Sequence, residues 1–187
     1  MTTKNGLPTM TTYSGILFDF SDPTPDMIRI EDIAHALSLE CRFQNQCHPL
    51  YSVAQHSILV SDYAVPKDPF WIKDEKRFRL TALLHDAAEA YCGDMNKPLK
   101  MLLPEYTHIE MRIYAVIAVK FELPAVIPDE IKEIDQRILA NEGRLFMHDG
   151  WNGAKYEWDP KIRVGRAWPP AEAEKEFLWR FRDLVKP

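Results

Sequence analysis

The chain has only three cysteines, Cys41, Cys47 and Cys92, and no two of them form a C-x-x-C pair. An odd number without that spacing argues against a disulfide framework, and the three read as reduced thiols in a reducing compartment. No apolar run approaches the length of a membrane span. The opening "MTTKNGLPTMTTYSG" is polar and lacks the apolar stretch of a signal peptide. Positive charge is not in excess either: 23 Lys and Arg stand against 28 Asp and Glu, a net charge of −5. That balance argues against a nucleic-acid polymer as partner, while leaving room for a local basic pocket that holds phosphates. Repeats, low-complexity segments and linkers are missing too. These absences point to a chain free of the membrane and located in the cytoplasm (the host's, for a phage-encoded chain). Its 187 residues, 46% hydrophobic and 27% charged, suit one domain with a sizeable core.

What is present is mostly helical period. Ile16 to Phe20 has strand character before a Pro-broken turn. Ile30, Ile33, Ala34 and Leu37 then form a helical stripe. "SVAQ", residues 52 to 55, has the form of a capping box and places His56 in the first turn of a helix. The loop "PKDPF" separates it from a helix through "LTALLHDAAEAYCGD", which should stop at Gly93. Pro98 is placed to open a short helix and Pro104 a longer one through Ile109, Ile113, Val116 and Ile117. Ile131, Ile134, Ile138, Glu142 and Leu145 mark another. Residues 148 to 170 read as an irregular excursion, and Phe177, Phe181 and Leu184 define a last helix with acids early in it. The expected fold is an all-α bundle, with a small β hairpin near the excursion.

Four ionisable groups sit where that period asks for apolar ones. Leu80, Leu83, Leu84 and Ala87 form a core-facing stripe, yet His85, Asp86 and Glu89 lie among them. Asp135 follows Ile131 by four residues, inside its own stripe, where an unpaired carboxylate is costly. It either pairs with a cation such as Arg137 or Arg144, or binds a metal. His56, His85, Asp86 and Asp135 are a mixed imidazole and carboxylate set suited to a divalent transition metal: manganese, cobalt, iron, nickel or zinc. Being adjacent in a helix, His85 and Asp86 point about 100° apart, so a shared ion must sit over the helix flank. Glu89 lies one turn beyond His85, placed to handle the proton of a water. Asp94 adds an acid at the rim. His148-Asp149 repeats the dipeptide outside any apolar helix and reads as a loop.

In this order the blocks "IEDIAHALS", "CRF", "YSVAQHS", "LLHDAAEAYCGDMNKPLK" and "IDQRILANEGRLF" resemble the HD-domain metal-dependent phosphohydrolases. The resemblance is to the branch of small 5′-deoxynucleotidases and phage deoxyadenosine triphosphate triphosphohydrolases, and it runs from about Phe18 to Met147. Residues 148 to 187 would form a C-terminal loop and helix. The resemblance implies that His56, His85, Asp86 and Asp135 hold the metal, with a second ion accompanying the substrate phosphates as an option. It implies that Glu89 acts as the catalytic acid, with Asp94 beside it, and that Arg42 contacts the cleaved phosphate. Phe43 would neighbour the sugar or base. Asp94, Asn96 and Lys97 would line the deoxyribose and phosphates, and Lys100 would meet outer phosphates. Relatives often carry two glycines and a histidine where this chain has "QNQCHP". Gln44 and Gln46 there are candidates to read an adenine edge. The implied substrate is a small deoxynucleotide, first a deoxyadenosine or other deoxynucleoside triphosphate cut to nucleoside and triphosphate. Alternatives are a 5′-deoxynucleotidase on monophosphates and a nucleotide-binding domain without turnover. Homo-oligomers, dimeric or hexameric, are the implied assembly.

Overall fold

A computed structural model describes Gly6 and residues 8–186. The start of the polar N-terminal stretch and the last residue of the 1–187 span lie outside the described residues.

The centre of the fold is a helix with no wet face. α2 (Val53–Tyr63) is buried at nine successive positions, Val53 to Ser61. A helix surrounded on all sides has to satisfy its polar side chains internally, and between Val53 and Ser61 only the Ser57 hydroxyl and His56 Nε2 have no partner. Gln55 does so by donating to the Arg166 carbonyl and accepting from the Trp168 N–H, both at 2.8 Å. The Ser61 hydroxyl donates to the Arg79 carbonyl at 2.9 Å. Ser52 caps the helix by accepting from the Gln55 N–H. The expected capping box is therefore only half made, because the Gln55 side chain reaches into the C-terminal segment instead.

Around α2 stand α1 (Ile30–Leu39), α4 (Glu75–Leu83), α8 (Asp129–Phe146) and α9 (Pro170–Leu184), each in contact with it. Ile33, Ala34 and Leu37 of α1 and Ala173 and Phe177 of α9 are buried, joined by Ile113 and Ile117 of α7 (Pro104–Lys120). On the other side of α2, Leu59 and Val60 meet Ile131, Ile134, Ile138 and Phe146 of α8. Removing the Phe177 side chain would cost about 3–5 kcal/mol. The expected stripe of α8 drifts at its end: Leu145 is exposed and Phe146 takes the core position.

Three short helices complete the set: α3 (Pro69–Ile72), α5 (Glu89–Cys92) and α6 (Lys97–Lys100). α3 begins inside the "PKDPF" connection expected to be loop and runs past it to Ile72, started by Asp68 accepting from the Phe70 N–H and by Pro69 in the first turn. The expected continuous helix through His85 is broken. α4 ends at Leu83, and residues 84–88 run as turns before α5. The bonds Ala87 N–H to Leu84 O and Glu89 N–H to Asp86 O close over three residues, tighter than an α-helix. Gly93 does end the segment, at φ 84°.

The described residues hold one small antiparallel hairpin, β1 (Thr9–Thr11) with β2 (Leu17–Asp19), Met10 opposite Phe18. It corrects the expected position: the hairpin lies at the N-terminal end, and residues 148–168 contain no strand or helix. That excursion is pinned to α8. The Asn141 amide donates to the carbonyls of Asp159 and Ile162 at 2.7 Å and accepts from the Asp159 N–H at 2.9 Å. Arg137 pairs with Asp159. No described helix is long and apolar enough to cross a membrane.

Candidate metal centre

α2, the turn after α4, and α8 bring His56, His85 and Asp135 together. One ligand atom from each lies within 4.8 Å of the others. His56 Nε2 stands 3.1 Å from Asp135 Oδ1. Asp86 stands beside this trio, its Oδ2 3.1 Å from His85 Nε2 and 3.6 Å from His56 Nε2. The turn geometry at residues 84–88 lets the adjacent His85 and Asp86 approach one point, where a continuous helix would splay them. Arg137 and Arg144 do not neutralise Asp135: the first pairs with Asp159 and the second lies over the Trp158 ring.

The donor set could hold a metal ion. The Nε2 atoms of His56 and His85 are buried and have no hydrogen-bond partner, a condition costing about 1–3 kcal/mol per group unless something fills it. Each Nδ1 is occupied: His56 Nδ1 by Glu142 at 2.7 Å, His85 Nδ1 by the Ala82 carbonyl at 2.8 Å. Such bonds fix ring orientation and direct the other nitrogen at a ligand site. Burial and the Arg42 guanidinium oppose a proton on His56, yet Glu142 and Asp135 push its pKa up to about 9. Burial likewise opposes charge on Asp86, but His85, His56 and Arg42 hold its carboxyl well below the usual range. Burial opposes charge on Asp135 too, yet the His56 ring 3.1 Å away, with His85 behind it, lowers its pKa. The centre thus sets three carboxylates, Asp86, Asp135 and Glu142, against the His56 and His85 rings and the Arg42 guanidinium.

Glu142 was not assigned a role from sequence, and it organises the back of the centre. Fully buried, it accepts from His56, from the Tyr51 hydroxyl at 2.8 Å and from Arg42 Nε at 3.1 Å. Its place in the apolar stripe of α8 was the same signal that marked Asp135.

A cleft of about 560 Å3 opens beside the centre, lined by Arg42, Asp86, Glu89, Asp94, Lys97 and Asp135 among others. Arg42 is buried, its Nη1 3.7 Å from Asp86. Glu89 is also buried, with Oε2 unpartnered. Burial, then the Asp86 and Asp94 charges, push its pKa well above the ordinary value. Burial also raises Asp94. Lys100 is not free: its ammonium bonds Glu110 at 2.6 Å and lies 3.6 Å from Glu89. Lys97 is exposed at the rim. Asn96 caps α6 by accepting from the Leu99 N–H.

The wall formed by "QNQ" is self-engaged. Gln44 accepts from Asn96 Nδ2 at 2.8 Å and donates to the Asp94 carbonyl at 3.4 Å, while Gln46 donates to the Gln44 carbonyl. Phe43 does line the cleft, edge-on to Trp151 at 5.6 Å. Trp151 was missed in the sequence. A Cβ on Gly143 would overlap its ring, and one on Gly153 would stand 2.6 Å from it. A glycine inside α8 costs helix stability, and room for this indole is what it provides. His148 and Asp149 lie in the excursion and take no part in the trio.

Fold and centre define a class: an all-helical protein with a buried histidine–carboxylate site beside an open cleft. No family model matches the chain. It is 40% identical over 176 residues to the uncharacterized protein YfdR of Escherichia coli K12, the match covering 92% of this chain and 93% of YfdR. It is 43% identical over 186 residues to the uncharacterized protein RCAP_rcc00048 of Rhodobacter capsulatus, covering 92% and 93% respectively. The chain belongs to the family of YfdR and RCAP_rcc00048.

Proposed function

We propose that this protein is a metal-dependent phosphohydrolase of deoxynucleotides, of the HD-domain kind. The observation that carries the reading is the set of buried, unpartnered atoms at one place: Nε2 of His56 and His85, and Oε2 of Glu89 on the cleft. His56, His85, Asp86 and Asp135 would hold the ion. When bound, a divalent ion supplies polarisation of a phosphate oxygen and a water of lowered pKa. Arg42 presents a permanent cation to the phosphate from the cleft wall. Its Nε bond to Glu142 keeps the guanidinium in one orientation. Glu89 Oε2 is the group that exchanges a proton with the attacking water, and burial raises its affinity for that proton. Phe43 and Trp151 supply the apolar wall for sugar and base.

One observation favours the monophosphate over the triphosphate as substrate. A triphosphate brings several further charges, and Lys100, the cation placed to meet them, is already paired with Glu110. The trio, Arg42 and Lys97 match a single phosphate better. The test is a panel of mono-, di- and triphosphates of the four deoxynucleosides, assayed with manganese, cobalt, iron, nickel and zinc. Orthophosphate and deoxynucleoside from monophosphates are expected. Deoxynucleoside with intact tripolyphosphate from triphosphates would favour the triphosphohydrolase instead. Saturable nucleotide binding without turnover under any metal would overturn the enzyme reading.

A further inference from the structure

Cys41 and Cys47 bracket the loop that carries Arg42 and Phe43, and their Sγ atoms lie 3.5 Å apart. Neither is in a disulfide. The base of the loop is fixed: Cys41 bridges Ser52, with the Arg42 N–H donating to the Tyr51 carbonyl at 2.9 Å. Between the cysteines, Phe43, Gln44 and Asn45 all have positive φ, at 56°, 50° and 62°. L-residues take that conformation singly and against steric resistance. Three in succession need the loop's ends to be held together. The Gln46 N–H reaches the Phe43 carbonyl at 3.0 Å, and the Cys47 thiol donates to the Arg42 carbonyl at 3.6 Å. The thiol pair is therefore the side-chain clasp of a strained loop.

We propose that Cys41 and Cys47 are a modification site: a reversible disulfide that staples the Arg42–Gln46 loop, formed by a low-molecular-weight disulfide of the glutathione type. Cys47, the half-exposed member, attacks first as thiolate and expels one reagent thiolate, leaving a mixed disulfide. Cys41, buried behind it, then attacks Cys47 Sγ and expels the second. One S–S bond forms in the protein and one breaks in the reagent. Two electrons pass to the reagent, which takes up the two cysteine protons and leaves as two thiols. The sulfurs, now 3.5 Å apart, must close to about 2.05 Å. Burial, then the Cys41 thiol, push the Cys47 pKa up to about 11, so the exchange is slow at neutral pH and quickens as pH rises. Cys92 stays out of it: on α5 its thiol bonds the Ala88 carbonyl and the Tyr106 hydroxyl.

The proposal stands apart from the hydrolase reading, and its test needs no activity. The full chain is equilibrated with excess oxidised glutathione at about pH 9.5, nearer the raised Cys47 pKa and with exchange still slow enough to need long incubation, then alkylated and mapped by mass spectrometry. The expected protein is about 2 Da lighter before alkylation, carries one alkylated cysteine, Cys92, and yields a cross-linked peptide joining Cys41 to Cys47. Cys92→Ser should form the same cross-link and Cys47→Ser none. Hydrogen exchange at residues 43–46 should slow at least about tenfold on oxidation, as expected when opening of a loop is blocked. Three alkylated cysteines, a stable glutathione adduct on Cys47, or a cross-link through Cys92 would overturn the pairing. Unchanged exchange across the loop would overturn the staple.

Discussion

Behind the candidate centre, α2 and α8 bury His56 and Glu142 completely and tie Glu142 to three donors. In front, the cleft is closed by segments around Phe43–Gln46, Asp94–Lys97 and Trp151–Gly153, whose side chains are half-buried or exposed. The back wall has no slack, since moving any one of its polar groups leaves a buried partner unsatisfied. The front wall is held by amide and backbone bonds at its rim, each replaceable by water. Of the four candidate ligands, His56 and Asp135 sit on helices and His85 and Asp86 on the tight turns between α4 and α5, whereas the front wall is mostly loop.

The sharpest way to break this comparison is at Glu142. Glu142→Ala would leave Arg42, His56 Nδ1 and the Tyr51 hydroxyl buried without their acceptor. A loss of about 3–5 kcal/mol in urea unfolding is expected. A loss below 1 kcal/mol, roughly what a surface contact is worth, would erase the distinction between the walls. Next comes Glu89, on the border between them. Glu89→Ala should keep the bound metal and lower turnover at least ~100-fold, read from metal content and initial rates on the same preparation. Gly143→Ala carries the test to the front wall, because the new methyl collides with Trp151. It should cost about 1–3 kcal/mol and open the cleft. The double variant with Trp151→Ala should recover part of that loss, a coupling that a double-mutant cycle measures. The smallest effect is expected at Gln44. Gln44→Ala should change stability by less than about 1 kcal/mol and slow all bases alike, its amide being spent on Asn96 and Asp94. Selective loss with adenine nucleotides would instead restore it as a base-reading residue.

The same division governs what could be read from the sequence. Burial leaves period, so the stripes of α1, α7 and α9, the Ser52 cap and the misplaced acid Asp135 were all visible. Glu142 sat in the same stripe and was visible too, but counted as a helix marker. The break after Leu83 was not visible. Turns closing over three residues keep Leu84, Ala87 and Ala88 in the core, so the apolar pattern survives a change that re-aims His85 and Asp86. The β1 strand is three residues with little apolar pattern to announce it. Trp151 reaches the cleft through loop geometry that no period encodes, and its only trace was a glycine in the interior of α8. α3 did have its signal in Asp68-Pro69, an N-cap followed by proline.

The central claim is that two histidines and their carboxylates hold a cation. Its most direct test is elemental analysis of the full chain after reconstitution with manganese, cobalt, iron, nickel or zinc and removal of free metal. The natural chain is expected to hold about one ion per chain, bound through deprotonated ligands from three segments. Asp135→Ala and His85→Ala should each fall below about a tenth of that occupancy, with the helical circular dichroism retained. A natural chain that retains none of the five metals, or either variant with a full complement, would contradict it.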